Sequence, residues 1–328
     1  MPVVVADVPL DPPIFLAPLA GITDLPFRNL VSGFGAGLVV SEMIASQELV
    51  QQRPSTQMRA ELGFGQANTA VQIAGREAHW MAEGAKLCEG FGARIIDINM
   101  GCPAKKVTNG YSGSALMRQP DHALKLIEAV VEAVDVPVTL KMRLGWDDDS
   151  LNADAIAKSA EAAGVKMITI HGRTRCQFYK GAADWAAIRK IKDAVRVPVI
   201  ANGDIVDIAS ARLALDQSGA NGVMVGRGAQ GRPWVLAQIA AELFGTDAPV
   251  IPQGTALTDL IIEHYESMLG FYGTEHGLKC ARKHLGWYLD TINGPAAVRR
   301  TILTSMAPDD VIAQLNSLGS VCDLEVAA

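Results

Sequence analysis

PVTLKMRLGWDDDSLNADAIAKSAEAAGVKMITIHG (137–172) contains one full strand–helix–strand period. Two short aliphatic runs, PVTLKMR (137–143) and KMITIHG (166–172), flank a stretch over 150–163 whose spacing predicts a helix. Apolar residues that follow one another without alternating suit parallel strands buried on both faces. The same unit repeats outward in both directions. Strand candidates are IFLAP (14–18), LVVSEM (38–43), TAVQIAG (69–75), RIIDINMG (94–101), PVIANGD (198–204) and NGVMVGRG (221–228). Helical patterns fall over 76–91, 119–134, 184–194 and 207–217. In 119–134, Pro120 and Asp121 open the helix, and Leu124, Ile127, Val130, Val131 and Val134 mark one face. Eight alternating strand–helix units predict a closed (β/α)8 barrel, the TIM barrel, rather than an open sheet.

Composition shifts near residue 245. GTDAPVIPQGT (245–255) has the prolines and glycines of a linker, and the strand signal ends there. Helical patterns follow over 256–272, 275–292, 295–306 and 308–319. The expected organisation is a barrel over 1–248 and a small all-helical C-terminal domain over 249–328.

Several function classes are disfavoured. No apolar run approaches the roughly 18 residues of a membrane span. The N-terminal MPVVVADVPLDPP lacks the basic start of a signal peptide. Cysteines 88, 102, 176, 280 and 322 form no CxxC pair and no metal-ligand spacing, which predicts reduced thiols, a cytoplasmic location and no metal. With 29 basic against 35 acidic residues the net charge is −6, so any RNA partner needs a local basic patch.

In such a barrel the site lies at the C-terminal strand ends. Those ends carry Ala17–Gly21, Ser41-Glu42, Gln72, Asn99–Pro103, Lys141 with Arg143, His171–Arg173, Asn202–Asp204 and Gly226-Arg227. Helix capping explains Asp24 and Asp207, but Gln72, Lys141 and His171 are poor caps, so the ring argues for an enzyme. Glycine-rich ends after strands seven and eight, with Arg227 beside them, point to a phosphorylated ligand; structural turns are the plainer alternative. Lys141, aimed inward from an aliphatic strand, needs an anionic partner. A reduced flavin supplies one, and a salt bridge to Asp97 or Glu42 is the other reading. Cys102 follows its strand directly, whereas Cys88 and Cys280 fall in helical patterns. A thiol with pKa about 8.5 is protonated at neutral pH and can act as a general acid, though buried packing is the commoner fate of cysteine. The glycine-, serine- and lysine-bearing stretch 104–117, with Lys105 and Lys106, suits a mobile flap.

Taken together, APLAGITDLPFR, SEM, VQIAG, DINMGCPAKKVTNGYSGSALM, TLKMRLGWDD, ITIHGRTRCQFYKGAADW, IANGDI, VMVGRGAQGRPW and LKCARKHLGWY resemble the tRNA-dihydrouridine synthases, closest to the bacterial B-type, NifR3-like branch. The stretches span nearly the whole chain in order. The resemblance implies FMN in the barrel mouth, NADPH as reductant and a tRNA D-loop uridine as substrate. Hydride would pass from flavin N5 to C6, with Cys102 the proton donor to C5. It assigns Pro18, Leu19, Ala20, Gln72, Lys141 and His171 to the flavin, and Asn202, Gly203, Asp204, Gly226 and Arg227 to its phosphate and ribityl chain. Asn99, Arg143 and Arg173 fall to the substrate. Leu19 stands where the family usually has Met, a swap of similar volume. A uracil in folded tRNA must be extruded to enter. The helical domain carries Lys279, Arg282 and Lys283 on neighbouring positions, with His284 next, as the expected RNA grip; pairing with the domain's own acids is the rival reading. A monomer without metal or membrane contact is expected. Two other functions compete: a flavin barrel enzyme acting on a small pyrimidine, such as a dihydroorotate dehydrogenase, and a tRNA-binding protein without catalysis. The C-terminal helices disfavour the first, and Cys102, Lys141 and the phosphate loops disfavour the second.

Overall fold

Strand Val138–Arg143 is buried along its whole length, as an aliphatic run in a parallel sheet should be. The structure, a computed structural model, describes residues 2–326 except 54, 55, 57, 59, 63–67 and 293, and describes no side chain beyond Gly319. Eight parallel strands close into a barrel: Ile14–Leu16, Leu38–Val40, Thr69–Ala74, Ile96–Met100, Val138–Arg143, Met167–His171, Val199–Asn202 and Gly222–Val225. Closure is made where Val225 pairs with Leu16 and Val39 with Thr69. All eight expected strands are present, trimmed at their ends. The second stops at Val40, and Ile44–Ala45 pairs separately with the third strand.

Alternation across each strand sorts the side chains. Ile14, Leu16, Ile96 and Ile98 face the helices, and Phe15, Leu38, Ala70, Met167 and Ile200 fill the barrel interior. An N-terminal hairpin, Val3–Val5 with Val8–Leu10, adds Val3, Val5, Val8 and Leu10 to that interior cluster. Helix Pro120–Ala133 starts at its proline as expected. Its buried face is Ala123, Leu126, Ile127 and Val130, rotated from the face that the spacing suggested.

Helix Val235–Phe244 packs on the first strand, and residues 245–253 then run without regular structure. Helices Gly254–Tyr272, Thr274–Leu289, Ala296–Thr304 and Pro308–Val326 follow, with an apolar core of their own built on Ile261, Tyr265, Leu285, Tyr288 and Leu315. This helical region meets the barrel at helix Leu25–Gly33. Phe27 packs against His264 and His284, with ring centroids 5.7 and 4.9 Å apart, and the Tyr272 hydroxyl donates to Asp24 at 3.0 Å. His284 is therefore a seam residue and not part of an exposed basic face. Among the described residues no helix is long and apolar enough to cross a membrane, and no group of His, Cys, Asp and Glu could hold a metal.

Candidate active site

The strand ends surround one cavity of about 870 Å³ at the C-terminal mouth. It is lined by Pro18, Leu19, Ala20, Gln72, Asn99, Cys102, Lys141, Arg143, His171, Asn202, Gly203, Asp204, Gly226 and Arg227, so fourteen of the expected site residues converge. Period-two alternation explains how. Gln72, Asn99, Lys141, His171 and Asn202 all occupy inward positions near the ends of adjacent strands, with Asn99 opposite Lys141 and Asn202 opposite His171.

Lys141 is 9% exposed and donates from Nζ to Asn202 Oδ1 at 2.9 Å. Neither carboxylate weighed as its partner holds it. Asp97 accepts from Gln72 and Thr139, and Glu42 accepts from the Gly21 amide. Burial, and then the neighbouring Arg143, bring the Lys141 ammonium down to about 8. A charged amine with one neutral partner and two remaining N–H donors suits an anionic ligand.

Asn202 also fixes His171. Its Nδ2 donates to the Met224 carbonyl at 2.8 Å, which turns Oδ1 toward His171 Nδ1 at 3.2 Å. An amide oxygen only accepts, so Nδ1 carries the imidazole proton. Burial, with Lys141, Arg143 and Arg173 adding to it, drives His171 far below the usual imidazole range, so the ring is neutral.

Cys102 is half-buried, and its loop is held on several sides. Its backbone N–H donates to Asn99 Oδ1 at 3.0 Å, and its carbonyl accepts from the Ser114 hydroxyl at 2.8 Å. Arg143 Nε binds the preceding Gly101 carbonyl at 2.8 Å. The following stretch, the expected mobile flap, contains helix Lys105–Thr108 and a 3-10 turn over Gly113–Arg118. Ser114 ties that turn to the Cys102 loop.

Across the mouth, Gly203 adopts φ +111°, and a side-chain carbon there would stand 2.9 Å from Ala183 and 3.3 Å from His171 Nε2. Glycine is required for this turn. The Asp204 carboxylate binds Arg173 and the Ala183 amide, with Arg227 at 3.4 Å. Burial alone would raise it; these partners hold it below the usual carboxylate range. A carboxylate repels phosphate, so any phosphate contact at Asp204 falls to its backbone, and the cations of that rim are Arg227 and Arg232.

Four expected substrate contacts lie elsewhere. Arg173 is 1% exposed and outside the cavity wall. Its guanidinium is engaged by Asp204 and the Lys180 and Gly181 carbonyls, so it braces the loop and is not free for a substrate. Lys279 pairs with Glu275 at 2.9 Å, one helical turn away, as the rival reading held. Arg282 reaches the Met306 sulfur at 3.2 Å. Lys283 comes nearest the site, its ammonium 3.2 Å from where a side-chain carbon on Gly21 would sit. Sequence reasoning missed Tyr179, whose exposed ring lies between the Arg143 and Arg227 guanidiniums at 5.6 and 5.3 Å. It sits in a loop, where periodicity carries no signal. Arg232 was also missed, although it lies in the same glycine-rich stretch as Arg227.

A profile of the family described as Dihydrouridine synthase (Dus) matches residues 15–321. A probable tRNA-dihydrouridine synthase of Rhodobacter capsulatus is 64% identical over 310 residues, covering 94% of this chain and 95% of that one. A tRNA-dihydrouridine synthase B of Pseudomonas syringae pv. tomato is 46% identical over 287 residues, covering 87% and 85%. Among solved structures, morphinone reductase in complex with tetrahydroNAD aligns with a TM-score of 0.52 at 13% identity, over 78% of this chain and 93% of that one. At that identity the likeness speaks for the barrel fold alone.

Proposed function

The chain belongs to the dihydrouridine synthase family, and on that premise we propose that it reduces a uridine of the tRNA D-loop to 5,6-dihydrouridine, with FMN as its flavin and NADPH as reductant. The observation that carries this reading is a half-buried thiol and a buried, singly partnered ammonium on one cavity wall.

The residues present fit FMN. The volume is in the range of pockets that bury a cofactor-sized ligand. Lys141 offers a cation to the anionic edge of the flavin ring, and Gln72 and His171 line the same wall. Beside His171, the backbone of Gly203, Gly226 and Gly228, with Arg227 and Arg232, forms a rim suited to a phosphate. Bound there and reduced, FMN would supply the hydride for uracil C6. Cys102 gives its proton to C5, and the ring's 5,6 double bond becomes single. Asn99 and Arg143 line the space next to Cys102 that the uracil would occupy. Neutral His171 adds no charge to the ring site.

The helical region over 249–328 is the proposed RNA grip, centred on Lys283 and Arg282. Lys283 stands beside Gly21, whose chain neighbours Ala20 and Ile22 line the cavity that an extruded uridine has to enter. Lys279 contributes less, because Glu275 already neutralises it.

The test is direct. Purified protein should be yellow with a flavin spectrum. Incubated with NADPH and tRNA from cells lacking the modification, it should add two hydrogens to a D-loop uridine, read by mass spectrometry. A flavin-loaded protein that leaves such tRNA unchanged would sink the proposal.

A further inference from the structure

We propose that Asp97 is a positioning residue for Cys102, acting through a polarised relay of two side-chain amides, Gln72 and Asn99. Asp97 lies on the fourth strand, 5% exposed, behind the cavity wall. The inference rests on reading Cys102 as the proton donor.

The relay follows from what each group can donate. A carboxylate accepts only. Asp97 Oδ1 takes the Thr139 hydroxyl at 2.6 Å, and Oδ2 takes Gln72 Nε2 at 2.7 Å. With its nitrogen committed there, Gln72 presents Oε1 to Asn99, whose Nδ2 donates at 2.7 Å. Asn99 is then left with Oδ1 toward the Cys102 loop, where it accepts from the Gly101 and Cys102 amides at 3.2 and 3.0 Å. Each amide orientation is dictated by the one before it, and the first by the Asp97 carboxyl, which burial pushes above its usual range while Gln72, Thr139 and Lys141 pull it back toward the charged form. Turned the other way, Asn99 would aim an NH2 at two backbone N–H groups, and the loop bearing the thiol would lose its anchor. Buried networks of this kind hold a geometry only while every member is satisfied.

The relay can be reversed on paper without leaving any atom unpaired, and this gives the test. In Asn99→Asp, the new carboxylate still accepts from the Cys102 loop but turns its other oxygen on the Gln72 oxygen. Gln72 cannot serve carboxylates at both ends, so the relay breaks. Adding Asp97→Asn repairs it. The new amide donates to Gln72 Oε1, Gln72 Nε2 donates to the carboxylate at position 99, and Thr139 donates to the oxygen at position 97. Both variants carry a carboxylate at position 99, and the single variant keeps a second one at Asp97. That extra negative charge slows thiolate formation, so faster alkylation in the single variant reports the broken relay and not the charge.

Two rates are read on flavin-loaded protein: alkylation of Cys102 by iodoacetamide, followed by mass spectrometry with Cys176 and Cys280 as internal controls, and flavin reoxidation by tRNA. Cys102 in Asn99→Asp should alkylate about tenfold faster than in the double variant, the ratio expected for one unpaired buried polar group. Reoxidation by tRNA should be slower in the single variant by a similar factor and recover in the double, with flavin reduction by NADPH equal in both. A single variant that fails to fold beside a double that folds supports the relay equally. Equal rates in the two variants overturn it, as does a double variant that fails to fold, because the reversed relay leaves nothing unpaired. Should the alkylation pattern hold while Cys102→Ala reoxidises normally, the relay stands and the proton-donor reading falls.

Discussion

Replacing Lys141 with Met should make the flavin-free protein more stable while weakening its hold on FMN. Burial lowers the ammonium from 10.5 to about 8, with Arg143 adding to the effect. The folded state therefore binds this proton less readily than the unfolded chain does. Stability rises with pH between about 8 and 10.5, and below that window the buried charge imposes its full cost. A drop of that size corresponds to roughly 3 kcal/mol at neutral pH. The lost hydrogen bond to Asn202 offsets about 1 kcal/mol. Asn202 Oδ1 keeps its contact with His171, and Met fills a comparable volume. The net gain is about 2 kcal/mol, or roughly 3 °C in Tm for a chain of this size. FMN should bind about 10- to 100-fold more weakly, the loss of a charge-assisted hydrogen bond. Calorimetry of the flavin-free proteins at pH 7 and again above pH 10.5, with a flavin titration at pH 7, checks both halves. A less stable variant at pH 7, or a gain that persists above pH 10.5, would refute the reasoning.

Three other substitutions have defined outcomes. Cys102→Ala should retain flavin and its reduction by NADPH but lose about 10²–10⁴-fold in tRNA turnover, measured by single-turnover flavin reoxidation. Arg227→Ala should remove most of the preference for FMN over riboflavin, while Lys141→Met should leave that preference in place; comparative titration of the two flavins separates the routes. Lys283→Ala should weaken tRNA binding and flatten the salt dependence by about one phosphate contact, whereas Lys279→Ala should change both less, since Glu275 pairs with it. A filter-binding salt series that ranks the two lysines the other way would move the RNA contact along the helix.

The barrel was legible because aliphatic runs, helix starts and loop glycines agreed along the chain. The N-terminal hairpin was not. Its two strands are three residues each, and its turn at Ala6 (φ +56°) lacks the glycine or asparagine that usually marks one. Within the site, residue type and strand-end position found Cys102, Lys141 and His171, because those groups are chemically conspicuous there. Type alone misled at Arg173. An arginine in a site motif looks like a ligand contact, and only the three-dimensional arrangement shows Asp204 and two carbonyls holding it. Asp97 illustrates the converse. It shares an inward face with Asn99 two residues on, so alternation could have placed it, but nothing in sequence reveals that it orients two amides. The side chain of Cys322 lies outside the described residues.

The seam between barrel and helices has a physical consequence of its own. It includes Phe27, two neutral imidazoles, one tyrosine–carboxyl hydrogen bond and the close approach of Gly231 to Trp287, and among the described residues no ion pair crosses it. Contacts of this kind draw on the exclusion of water from rings, which weakens on cooling and is reinforced by sulfate. Cold, more than ionic strength, is therefore the condition that loosens the helices from the barrel, and ammonium sulfate holds them together.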